Sequence, residues 1–153
     1  MSQKFLGRKE GMMRREIKFR LWDKKQERML LPSNHVIAVG GGRIFINGFE
    51  QGSYRDNFSP MQYTGLSDKQ GKEIYEGDLV KVKGYGEKPL EYFGVIEWWK
   101  KTAMFGISHY KVINYYGMVL DDCWKGGLRF EDIKIETTEI IGNIYEKEKN
   151  EGI

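Results

Sequence analysis

The sequence predicts a mainly β fold, with a β-rich α+β arrangement as the alternative. Three observations point that way. Aromatic residues make up 14% of the chain and glycine occurs 19 times, a balance that favours short strands and tight turns over long helices. Apolar residues alternate with charged ones at period two in several segments. Turn signals recur about every ten residues, the spacing of a small sandwich or barrel.

The elements follow in chain order. Ile17, Phe19 and Leu21 alternate with Lys18 and Arg20 as in a half-buried strand. Val36, Ile37, Ala38 and Val39 form an apolar run stopped by Gly40, Gly41 and Gly42. Ile44, Phe45 and Ile46 then lead into Asn47-Gly48, a strong hairpin-turn pair. Together they read as one hairpin with the glycine run as its loop. The polar stretch 51–60 separates a strand-rich N-terminal part, residues 14–58, from a small β-barrel, residues 59–146.

In the second part, Asp68-Lys69-Gln70-Gly71 and Glu76-Gly77-Asp78 are turns. Leu79, Val80 and Val82 interleave with Lys81 and Lys83 as a strand, and residues 84–89 are a loop. Leu90 to Trp99 reads as a long strand containing Gly94, a position that marks a bulge or bend. Met104–Ile107, Lys111–Tyr116, Ile133–Ile135 and Glu139–Tyr145 are further strands, and Asp121–Lys125 begins a short helical turn. Residues 1–13 read as an N-terminal extension and 147–153 as a charged, fraying tail.

A chain of 153 residues fits one domain or two very small ones. The net charge is +3, but residues 1–20 hold seven bases and two acids, a net +5, which leaves −2 for the rest. The pI near 8.8 therefore comes from one end. Such a segment can touch nucleic acid or an acidic partner, although a charge run more often simply solvates the chain. No apolar run approaches the roughly 20 residues of a membrane helix, and the N-terminus lacks the apolar stretch of a secretory leader. The single cysteine cannot form an internal disulfide. The expectation is a cytoplasmic protein, with no membrane contact.

Site chemistry is sparse. His35, His109 and Cys123 are the only nitrogen or sulfur ligands, without CxxC or HxxxH spacing, so neither a metal nor a cofactor is expected. Acids at Asp121 and Asp122 disfavour a Cys123 thiolate. Gly40-Gly41-Gly42-Arg43 lacks the Gly-Lys-Ser/Thr ending and the following helix of a phosphate loop. With no Ser-His-Asp or Cys-His constellation, the chain reads as non-enzymatic. The binding candidates are interleaved aromatic and basic residues, Trp98, Trp99, Lys100, Lys101, His109, Tyr110 and Lys111. Neighbouring tryptophans on a strand face opposite sides, so at most one enters the core. The other packs in a subunit interface, where Trp is enriched, or serves as a stacking platform for single-stranded nucleic acid.

Three segments carry a family resemblance: Arg14-Arg15-Glu16-Ile17-Lys18-Phe19-Arg20-Leu21-Trp22-Asp23 continuing to Met29; the long block from Met61-Gln62-Tyr63-Thr64-Gly65-Leu66 through Tyr75-Glu76-Gly77-Asp78 to Val82; and Ile140-Ile141-Gly142-Asn143-Ile144-Tyr145-Glu146. In this order they resemble the YopX family of small phage and prophage proteins. The resemblance implies a phage-borne protein of a bacterial host, without catalytic activity and mainly β. It also implies a small C-terminal barrel and an N-terminal part suited to self-association. Members begin near the equivalent of Met12 or Met13.

The motif residues also have a physical reading. Gly65 and Gly71 supply positive φ angles. Gly77-Asp78 is a turn that launches the Leu79–Val82 strand. Tyr63 and Tyr75 are large amphipathic rings suited to closing a barrel end, and Gly142-Asn143 marks a bulge or tight corner. The expected function is a self-associating accessory protein that binds a host or phage protein. A nucleic-acid-binding barrel is the alternative, against which the net negative charge of residues 21–153 argues.

Overall fold

The computed structural model describes residues 16–53, 56–120 and 127–146. These residues are mainly strand, and the helical content among them is a 3-10 turn at Phe130–Asp132. The expected helical turn at Asp121–Lys125, Cys123, the extension 1–13 and the tail 147–153 lie outside the described residues. No described helix is long and apolar enough to cross a membrane.

β1 (Phe19–Asp23) pairs antiparallel on both sides, with β2 (Arg28–Leu30) and with β6 (Phe58–Ser67). β7 (Glu73–Tyr75) completes the sheet β2-β1-β6-β7. β1 is thus paired along both edges, and residues 20–23 are all buried. Leu21 packs with Leu30, Phe58 and Ile44.

Ile44 arrives from a separate three-stranded meander of β3 (Ile37–Gly40), β4 (Arg43–Ile46) and β5 (Phe49–Ser53). The expected single hairpin is thus two. Gly41 and Gly42 turn β3 into β4, and Asn47 (φ 53) and Gly48 (φ 84) turn β4 into β5. Two positive φ angles are what a hairpin turn of this length requires. β5 was hidden in the sequence because Phe49-Glu50-Gln51 is exposed and carries no apolar alternation.

The C-terminal part is a curled half-barrel sheet in the order β11-β10-β9-β8-β12. Its strands are β8 (Asp78–Lys83), β9 (Glu91–Trp99), β10 (Met104–Ile113), β11 (Gly127–Leu128) and β12 (Lys134–Asn143). Val80, Val82, Ile96, Phe105, Ile107, Leu128 and Ile133 fill its concave side together with Ile74 of β7. Each fully buried residue of this type contributes about 1.5–3 kcal/mol by leaving water. The Asp68 loop lies against β12, where the Lys69 amide donates to the Thr138 carbonyl at 2.8 Å.

Several expected strands merge or shift. β10 is continuous and stops at Asn114, whose side-chain oxygen accepts the Tyr116 and Met118 amides, so residues 114–116 are a turn. The expected strands at Ile133–Ile135 and Glu139–Tyr145 merge into one, β12, which begins at Lys134 and ends at Asn143 and whose pairing with β8 lapses between Lys134 and Glu139. The bulge expected at Gly94 sits on the partner strand, between His109 and Lys111. Glycine at 94 lets that bulge approach, because a Cβ there would lie 2.9 Å from the Ser108 carbonyl and 3.0 Å from His109 Cα. A register shift does occur between Ile140 and Gly142, and Gly65 and Gly71 have positive φ, as expected.

Gly77 is the tightest joint. Its φ is 81°, its amide donates to the Ile96 carbonyl, and its own carbonyl accepts from Ile144. A Cβ would lie 2.7 Å from Met61 Cε and 3.3 Å from Ile144 Cδ1. Gly77→Val is expected to destabilise the fold by about 1–3 kcal/mol. Denaturant unfolding checks this, and a midpoint equal to the parent's would mean that the turn accommodates a branched side chain.

Candidate functional site

Strand alternation sends Leu21 towards the meander and Lys18, Arg20 and Trp22 to the opposite side. There each meets a tyrosine. Lys18 Nζ lies 4.6 Å from the Tyr63 ring centre and the Arg20 guanidinium 4.7 Å from that of Tyr75. Trp22 stacks on Tyr145 at 5.7 Å and 11°. Tyr63 and Tyr75 are register partners in β6 and β7. Their rings therefore back onto β1 rather than closing a barrel end, because β6 pairs with β1 over its first half.

Two ion-pair systems grow from this stripe. Arg20 Nη2 donates to Asp78 Oδ1 at 2.5 Å, with side-chain exposures of 7% and 1%. The other Asp78 oxygen accepts the Tyr75 amide at 2.8 Å. Burial pushes the Asp78 carboxyl above its ordinary pKa, and the Arg20 charge and the amide pull against that rise. Arg20 Nε is buried without a partner. Further out, Lys18 bridges Glu73 and Glu16, and the Tyr75 hydroxyl donates to Glu73 at 2.8 Å. The Lys18 hydrogen bond holds the Glu73 carboxyl below its ordinary pKa, and Glu73 in turn raises Lys18. Burial, then Glu73, pushes the Tyr75 phenol far up.

Glu16, Lys18, Arg20, Glu73 and Tyr75, with Lys72, form one wall of an open cleft of about 580 Å³. That volume suits a small ligand or a few residues of a peptide. The opposite wall is Leu31, Pro32 and Val36 from the loop before β3, with Ile37 at the start of that strand. Leu31 is 43% and Val36 72% exposed. His35 sits in the same loop, with Nδ1 3.3 Å from the Leu31 carbonyl. No group of three metal-ligating side chains occurs among the described residues.

The aromatic-basic residues singled out in the sequence all lie on the β9–β10 hairpin, which divides them between two faces. Trp98 shares a side with Gly94 and Ile96 and meets Phe105 edge-on at 5.0 Å, remaining 40% exposed. Trp99 lies on the other side, over Gly106 and Gly127, where any Cβ would strike its ring. Lys111 shares the face of Trp99 and rests over Phe93 at 5.1 Å. His109 meets the Tyr92 edge, Tyr110 is the exposed bulged residue, and Lys100 and Lys101 are exposed in the hairpin turn.

The cleft residues Lys18, Arg20 and Tyr75, the buried Asp78 behind them and the β9–β10 hairpin all fall inside a single match. The family model described as YopX protein covers residues 18–149. The chain belongs to the YopX family. A solved relative in fold is protein EF1440 from Enterococcus faecalis, whose crystal structure is similar over 88% of this chain and 96% of that one. The identity is 24% and the TM-score 0.50, a likeness that carries the fold alone. No curated protein matches this YopX chain significantly.

In this YopX chain the Arg20–Asp78 pair was not legible beforehand, since 58 residues separate its members. Arg20 read as the polar half of an alternating strand and Asp78 as a turn residue. The available signal was that both lie in the segments carrying the family resemblance.

Removing one partner of a buried pair leaves an uncompensated charge, which costs about 3–5 kcal/mol. Arg20→Met is expected to destabilise by that order near pH 8. The Asp78 pKa stands above its unfolded value and rises further without Arg20, so the folded state gains a proton more readily. Its stability deficit therefore shrinks as the pH falls through that raised pKa. Arg20→Met/Asp78→Asn is expected to recover part of the loss at both pH values. Unfolding of the three proteins at about pH 8 and about pH 5 checks this, and a pH-independent deficit would contradict it.

Proposed function

We propose that this YopX protein is a non-catalytic accessory protein of phage or prophage origin that acts in the host cytoplasm by binding a protein. The observation that carries the reading is the cleft beside β1, with an exposed apolar wall of Leu31 and Val36 facing a fixed polar one. Solvent-facing apolar residues around a concavity favour association with another chain. The charged residues of the polar wall favour a binding role over catalysis. Lys18, Glu73 and Tyr75 satisfy one another, and the raised phenol and ammonium pKa values keep both protonated near neutrality. Self-association is the companion proposal. β5 leaves an open strand edge among the described residues, with Phe49 exposed, and such an edge can pair with a second copy.

A second reading, nucleic-acid binding, is favoured by the exposure of Trp98 beside Lys100 and Lys101. One experiment separates the two. Capture from host cells carrying the phage, with and without nuclease, is expected to retain a protein partner that survives nuclease and is lost in Leu31→Asp/Val36→Asp. Capture lost on nuclease treatment, or in Trp98→Ala instead, would favour nucleic acid. For self-association, light scattering at micromolar concentration is expected to give a dimer mass, reduced towards the monomer in Phe49→Glu. A monomer mass for the parent would remove the proposal.

A further inference from the structure

On the far side of β6 from the meander lies a second, smaller cleft of about 240 Å³. Its walls are Pro60, Met61, Val95, Ile144 and Tyr145, and its polar groups are the carboxylates of Glu76 and Glu97. Among the described residues, no lysine, arginine or histidine lines it. Both acids are held in place. Glu76 belongs to the turn that Gly77 fixes against Ile96 and Ile144, with its amide donating to the Gln62 carbonyl. Glu97 accepts the Ser108 hydroxyl at 2.6 Å, and that hydroxyl oxygen lies 3.4 Å from Trp99 Nε1. Tyr145 is clamped by its stacking on Trp22. Burial raises the Glu76 pKa, a backbone hydrogen bond with Gln62 opposes that rise, and the Glu97 charge adds to it.

We propose that this cleft accepts one basic side chain, arginine or lysine, from a separate partner protein. Every other feature of the cavity matches that group. An aliphatic stem has apolar walls to lie along. A guanidinium or ammonium has two preset carboxylates to meet and an aromatic ring beside them. The cavity holds one side chain and little more, so the subsite reads a residue rather than a fold. Its two negative charges repel a phosphate backbone, which makes the partner protein rather than nucleic acid.

The test is a titration of the full chain, followed by NMR, with N-acetyl-arginine amide and N-acetyl-lysine amide. N-acetyl-norleucine amide serves as the uncharged probe. The basic probes are expected to shift the Gly77, Ile144 and Tyr145 signals, and norleucine amide is not. Glu76→Gln and Glu97→Gln are each expected to weaken the basic probes about tenfold, whereas Glu139→Gln, at a distant exposed pair, leaves them unchanged. Unfolding curves for the glutamine variants keep a folding defect distinct from a binding defect. Equal binding of norleucine amide, unchanged binding in both glutamine variants, or no shift at millimolar probe would each overturn the proposal. So would binding that emerges only after Arg14→Gln/Arg15→Gln, because the occupant would then be the chain's own basic segment.

Discussion

Burying the Arg20 guanidinium against Asp78 removes two charges from water, and the desolvation of each costs several kcal/mol before attraction repays it. The pair is tolerated because the surrounding backbone fixes both ends. Arg20 extends from a strand hydrogen-bonded on both sides, and Asp78 sits at the start of β8 with its second oxygen on the Tyr75 amide. Neither partner can move without breaking backbone pairing. The pair therefore ties the first strand of the N-terminal sheet to the strand that opens the half-barrel, and the cleft, the tyrosine stack and the Gly77 joint all take their positions from it.

β6 and β7 carry the same linkage through apolar contacts. Met61, Tyr63 and Tyr75 pack on the β1 side, while Leu66 and Ile74 reach into the half-barrel core. Successive residues of β7 thus serve different interiors, Ile74 one and Tyr75 the other, as strand alternation requires. A buried ion pair between two such layers adds little net stability, but it penalises any register that separates the charges. A one-residue slip of β1 would bring Leu21 to Asp78 and leave both charges unpaired. That specificity argument accounts for the retention of a buried arginine with an unpartnered Nε in so small a protein.

The elements legible in the sequence were those whose burial alternates. β8 read correctly because its residues alternate between buried and half-buried, and the Asn47-Gly48 turn read correctly because its dihedrals demand those residues. β1 read as a strand from an alternation that its burial does not keep, since Ile17 is exposed before the strand begins and Arg20, on the charged phase, is buried. The features that stayed hidden depend on partners distant in sequence. β5 is an exposed edge strand without an apolar face. The bulge beside Gly94 lies on β10, since the glycine records only that something approaches it. The cleft is invisible for the same reason: Lys18 and Glu73 are 55 residues apart, and nothing local distinguishes a lysine held by two glutamates from one in solvent.

Charge placement carries the argument one step further. The sequence-level count, +5 in the first twenty residues and −2 beyond, treats the folded part as weakly acidic throughout. Folding sorts those charges unevenly. Around the larger cleft, Lys18 and Arg20 are neutralised by Glu16, Glu73 and Asp78, so the field there is small and the exposed Leu31 and Val36 dominate what the surface attracts. At the smaller cleft, Glu76 and Glu97 have no cationic neighbour among the lining residues, so an unbalanced negative field is focused between apolar walls. One surface thus offers chemistry suited to apolar chain and the other chemistry suited to a basic side chain. A protein segment carrying apolar and basic groups is the occupant that the two proposals, taken together, would fit.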